Sequence, residues 1–156
     1  MKGGFFMNSK ALIEDFVSQR TLALVGMSRD PKKFGNMIYK ELTEKGYHLL
    51  PVHAQVKSIG GVTCYPSLAQ LQETVGGVII VVPPAQTEKV VREVAQIGIP
   101  RVWIQQGAES QDAIQFCQQN GIKVVYGECI MMFAEPIKSF HKFHRFIWKL
   151  IGKIPA

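Results

Sequence analysis

Several signatures that would place a protein in a functional class are missing from this 156-residue sequence. It has no unbroken apolar stretch long enough to cross a bilayer, which argues against a membrane-spanning helix. The opening MKGGFFMNSK is too short and too weakly apolar for a secretory signal. Three scattered cysteines, Cys64, Cys117 and Cys129, form no CxxC pair. Such a set fits neither a disulfide framework nor a zinc site, and it points to the cytoplasm. There is no GxxxxGK[ST], so a P-loop is excluded. No Ser–His–Asp order and no carboxylate pair at a strand end stands out, which favours a binding module over a catalyst. Acidic residues are absent after Glu135, so Lys138, Lys142, Arg145, Lys149 and Lys153 supply five of the six net positive charges. The rest of the chain is nearly neutral, and a domain-wide field for nucleic acid is not supported.

What the sequence does have is alternation. Short runs rich in Val, Ile and Leu occur at 22–25, 48–52, 78–82, 101–104 and 122–125, without strict polar alternation. That is the pattern of strands covered on both faces. Helix-patterned segments at 9–18, 34–45, 67–73, 85–97 and 110–119 lie before and between them. The order predicts an α/β fold with a doubly wound parallel sheet over residues 1–130, followed by an appendage at 131–156. Ser9 and Ser110 are placed to cap helices, and Gly46, Gly98 and Gly121 to end them.

In such sheets a ligand sits outside the carboxyl ends of the strands, where the strand order reverses. The first such turn, VGMSRDPKKFGN, offers Gly26 for close backbone approach and Ser28 as a hydroxyl. Gly35 and Asn36 fall near a helix N-terminus, where free N–H groups attract anions. Arg29, Lys32 and Lys33 add positive charge; the same residues would also suit a polar loop that only caps a helix. After the second strand the chain reads PVHAQVKS, with His53 and Lys57 and no acid to grip a bare ribose. A ribose bearing a phosphate, as in NADP or coenzyme A, suits that composition.

The Gly26 turn, the PVH after the second strand, GVTCYPSL, VIIVVPP and WIQQGAES, in this order, resemble the CoA-binding domain family. These are small stand-alone Rossmann-like proteins related to the CoA-binding domain of the succinyl-CoA synthetase alpha subunit. The resemblance covers about residues 12–130. It implies coenzyme A or an acyl-CoA as ligand, with contacts at Gly26, Ser28, Lys33, Phe34 and Gly35, then Pro51 and Val52, then Val82, Pro83 and Pro84. Asn36, His53, Gln106 and Gly107 complete the candidate set. Many family members carry Asn where this chain has His53, so the polar contact there is expected to differ. The related synthetase also needs a domain with a phosphorylated histidine, and ligase activity is not expected here. The expected role is therefore non-catalytic or regulatory ligand binding. An NADP-dependent enzyme is one alternative; the other is an interaction protein with a vestigial groove and a tail that binds a partner or a membrane.

Cys129, at the end of the last strand, reads as a partly buried thiol that could also meet a CoA thiol; Cys64 and Cys117 read as packing residues. After Pro136, Ile137, Phe140, His144, Ile147 and Ile151 share one helical stripe and the five basic residues another. A basic helix this rich in aromatics is expected over residues 136–153, packed on the body, on a second copy, on a membrane surface or in the groove of another partner.

Overall fold

The computed structural model describes residues 9–136. Five parallel strands form the central sheet: β1 (Thr21–Val25), β2 (His48–Val52), β5 (Gly77–Ile80), β6 (Arg101–Gln105) and β7 (Lys123–Glu128). Their spatial order is β2-β1-β5-β6-β7. Helices α1 (Lys10–Val17) and α2 (Phe34–Glu44) cover one face, and α3 (Pro84–Ile97) and α4 (Gln111–Gln119) the other. The expected doubly wound α/β architecture is thus the one observed.

Both sheet faces are dry because the apolar runs supply two inward sets of side chains. Leu22, Leu24, Ile79, Trp103 and Val125 point to the α1/α2 side, with Phe16, Ile38 and Leu42 packed on them. Ala23, Val78, Ile80, Val102 and Ile104 point the other way, against Val91, Val94, Ile114 and Cys117. Each fully buried large apolar side chain stabilises the fold by about 1.5–3 kcal/mol. Trp103 is buried without losing its hydrogen bond: Nε1–H donates to the Glu128 carbonyl at 3.0 Å, while Phe16 meets its ring edge-on at 5.4 Å. Phe133 and Ala134 are also buried in this layer, so the core draws on residues beyond 130. Lys45 Nζ donates to the Ala134 carbonyl at 2.9 Å and Arg20 to that of Glu135 at 3.1 Å, which holds the segment where it leaves the body.

The caps follow the sequence. Ser9 Oγ accepts from Leu12 N–H and Ser110 Oγ from Ala113 N–H. Two local features differ from expectation. The helix expected over 67–73 is only a single 3₁₀ turn, Leu68–Gln70. Leu71 is already extended, because the chain must run out to β5 through Gly76 and Gly77, which lie hard against Gln19 and Phe16. Between His53 and Pro66 the chain forms a small hairpin, β3 (Ser58–Ile59) and β4 (Val62–Thr63). Its two-residue turn is Gly60-Gly61, both at positive φ, the backbone that favours hairpins. The basic aromatic segment expected as a helix over 136–153 lies, beyond Pro136, outside the described residues.

Candidate functional site

The connection from β1 leads to α2 on one face, and that from β5 leads to α3 on the other. The sheet therefore opens between β1 and β5 at its carboxyl edge, the place where such folds bind ligands. A crevice of about 500 Å³ lies there. Its apolar lining includes Val25, Val52, Val81, Val82 and Val90; its polar lining comes from His53, Gln55, Ser67, Gln86, Lys89 and Glu93.

The β1–α2 turn is closed upon itself. Gly26 has φ +137, and a Cβ there would stand 2.7 Å from the Val81 carbonyl carbon. A Cβ at Gly35 would meet the carbonyl of Gly26, 2.8 Å from its carbon. The two glycines let strand, turn and helix touch backbone to backbone. Asn36 fastens the turn: its Oδ1 accepts from Ser28 N–H and its Nδ2 donates to the Ser28 carbonyl, both at 2.8 Å. Ser28 Oγ in turn accepts from Asp30 N–H, and Asp30 Oδ1 from Lys32 N–H, each at 3.0 Å. Lys33 occupies the N-cap position of α2, and no side chain caps that helix. The dipole end of α2 is accordingly open to an anion.

Of the residues expected at the site, Gly26, Val52, His53, Val82 and Pro83 line the crevice together. Ser28, Lys33, Phe34, Gly35 and Asn36 form the neighbouring turn and the start of α2, with Phe34 39% exposed. Pro51 is buried within β2, opposite Leu24 of β1. Pro84 is exposed as the first residue of α3. Gln106 and Gly107 are exposed beyond β6 and do not line the crevice; Gly107 N–H donates to Glu109. Lys57 is absent from the lining as well and leads into the hairpin.

His53 is held through its ring: Nδ1 accepts from the N–H groups of Gln55 and Val56 at 3.1 and 3.3 Å. A neutral ring with Nδ1 so engaged carries its proton on Nε2. The residues that sequence reasoning missed are Lys89, Val90 and Glu93 on α3 and those of the Pro66–Ser67 turn, while Gln86 closes the segment 82–86 that the strand-end rule marks. Gln86, Lys89, Val90 and Glu93 recur at helical spacing and form one stripe along the crevice. Glu93 Oε2 accepts from Leu68 N–H at 3.2 Å, joining α3 to the 3₁₀ turn.

The thiols stand apart from this chemistry. Burial raises the Cys64 thiol above its usual range and pushes Cys117 up to about 12, so both are inert packing groups. Cys129 is half-buried. Among the described residues no group of His, Cys, Asp and Glu is arranged to hold a metal ion.

An apolar floor, a rim of hydrogen-bond donors, one lining cation and an uncapped helix end suit an elongated ligand with an aromatic part and phosphates. Comparison with known proteins agrees. Residues 20–135 match the family model described as CoA binding domain. The chain is 28% identical over 123 residues to the Bacillus subtilis protein YneT, covering 78% of this chain and 91% of that one. It is 26% identical over 130 residues to the alpha subunit of the ADP-forming acetate–CoA ligase II of Pyrococcus furiosus, but spans only 28% of that subunit. Among solved structures, a conserved hypothetical protein from Pyrococcus furiosus superposes with a TM-score of 0.68 at 39% identity, covering 72% of this chain and 97% of that one.

Proposed function

The chain belongs to the CoA-binding domain family, and on that premise we propose that it binds coenzyme A or an acyl-CoA without catalysing a reaction on it. The observation that carries the reading is the crevice between β1 and β5, which joins an apolar floor to donors and has no carboxylate at the end of β2. Its volume of about 500 Å³ falls within the range of about 300–1,000 Å³ usual for small-molecule sites. The diphosphate is taken by the open N-terminus of α2, where Lys33 stands, and by the backbone at Gly26. The adenosine lies across Val52 and His53, against Val82 and Pro83. Coenzyme A would supply a thiol for carrying an acyl group; the residues described here bind and orient it. The chain spans little more than a quarter of the length of the acetate–CoA ligase alpha subunit that it matches. Three unpaired cysteines fit a reducing compartment, and we place the protein in the cytoplasm.

Thermal-shift and calorimetric titration with coenzyme A, acetyl-CoA, NADP and NAD tests this reading. A ligand at a hundred times its Kd stabilises the native state by about 2.7 kcal/mol. The expected result is a clear rise in Tm with coenzyme A or acetyl-CoA and none with NAD. Equal or greater stabilisation by NADP, or no response to any of the four, would overturn it.

A further inference from the structure

The α3 wall of the crevice carries a cation that has no ion-pair partner among the described residues. Lys89 is the only Lys or Arg among the described residues lining the crevice. It is exposed and takes part in none of the ion pairs among the described residues. Neither of the acids best placed along the helix forms an ion pair with it. Glu93, four residues on, turns its Oε2 to Leu68 N–H at 3.2 Å. Glu88, next in sequence, is held by Arg92 at 2.7 Å. The other basic residues of interest, Arg29, Lys32 and Lys33 on the β1–α2 turn and Lys57 before the hairpin, do not line the crevice.

Resting on the coenzyme A reading above, we infer that Lys89, with His53, reads the phosphate carried on the ribose and so determines specificity for phosphorylated adenosine. The sheet places a bound ribose at the end of β2, and His53 follows β2 directly. Its Nδ1 is occupied by two backbone N–H groups, so its second ring nitrogen is the one that donates. A phosphate dianion there would receive one hydrogen bond from the imidazole and one, charge-assisted, from the ammonium. Glu93 sets the limit of the subsite. It lies one helical turn beyond Lys89, about 6 Å along the axis, and repels a dianion at that depth. Its carboxylate can instead accept from a ribose hydroxyl or a base amino group.

The test is calorimetric titration of coenzyme A and of dephospho-coenzyme A, which lacks only the ribose phosphate, into the wild type, Lys89→Gln and Lys89→Arg. Since a hydrogen bond to a charged group changes affinity about ten- to hundredfold, the wild type should prefer coenzyme A by that factor. Lys89→Gln should lose most of that preference by weakening coenzyme A alone, and Lys89→Arg should restore it. Lys89 is exposed and outside the core, so unchanged thermal unfolding without ligand is expected for both variants. If Lys89→Gln weakens both ligands equally or neither, or if the wild type binds both ligands equally, the phosphate-reading role is wrong while the coenzyme A reading stands. If the wild type binds neither, the coenzyme A reading itself fails.

Discussion

The β1–α2 turn and the α3 face border the same crevice, yet their polar groups are engaged differently. On the turn, the Asn36 amide, the Ser28 hydroxyl and the Asp30 carboxylate bond to neighbouring backbone, and the two glycines serve backbone contact. On α3, Lys89 has no ion-pair partner among the described residues, and Gln86 is exposed beside it. The turn looks like a ligand motif in sequence, but most of its side chains hold the shape of one end of the crevice. The helix face carries no motif, yet it presents the charge. Under the proposals above the side chains of the turn set shape while its backbone and the α2 N-terminus take the diphosphate, and α3 reads the ribose phosphate: damage to the turn should appear first as lost stability, damage to α3 as lost discrimination between ligands.

The strongest way to break this division is Gly26→Ala. The new Cβ meets the Val81 backbone, and φ +137 is strained for any side chain. Neither backbone can retreat, since Val81 N–H bonds to the Val25 carbonyl at 2.8 Å. Overpacking together with backbone strain should destabilise the fold by about 3 kcal/mol or more, measured by urea unfolding. A variant that kept wild-type stability and lost only ligand affinity would refute the division. Asn36→Ala should have a smaller effect. It removes two partly buried hydrogen bonds to Ser28, at a cost of about 1–3 kcal/mol. Ligand affinity should then fall because the turn is no longer held, and a second variant that restores global stability elsewhere should not recover it.

The fold was legible because buried parallel strands leave a plain trace. Runs such as VIIVV and TLALV need no partner information to be read as strands covered on both faces. The crevice-lining residues Gly26, Val52, His53, Val82 and Pro83 follow from the rule that ligands sit at strand ends. The α3 stripe was not legible, because helical periodicity reports the buried positions Thr87, Val91 and Val94. It gives no reason to choose Lys89 and Glu93 over other polar positions until the sheet order is known. Asn36 shows the converse difficulty: an amide near a helix N-terminus reads equally as a ligand contact or as a loop fastener. The 2.8 Å pair with Ser28 shows the fastening role. The Gly60-Gly61 turn between Ile59 and Val62 did carry a hairpin signal, but strands of two residues are too short for a periodicity reading to detect.

The opposite edge of the sheet offers the mildest test, because it should affect stability without reaching the crevice at all. Asp15 on α1 accepts from Arg101 Nε at 2.7 Å, and Lys123 Nζ stands 3.7 Å away. The Arg101 hydrogen bond holds the Asp15 carboxyl below its ordinary value of 3.8, outweighing the opposing effect of burial, with the charges of Arg101 and Lys123 assisting. A carboxyl whose folded pKa is depressed stabilises the protein above its unfolded value and loses that contribution as pH falls through the folded one. Asp15→Asn should therefore cost about 0.5–1 kcal/mol at pH 7, the scale of a partly exposed pair. The gap between wild type and variant should close as the pH is taken well below 3.8. Coenzyme A affinity at pH 7 should stay unchanged. A gap that persisted in acid would mean that the side chain acts through packing instead of charge, and a change in affinity would mean that the two edges of the sheet are coupled.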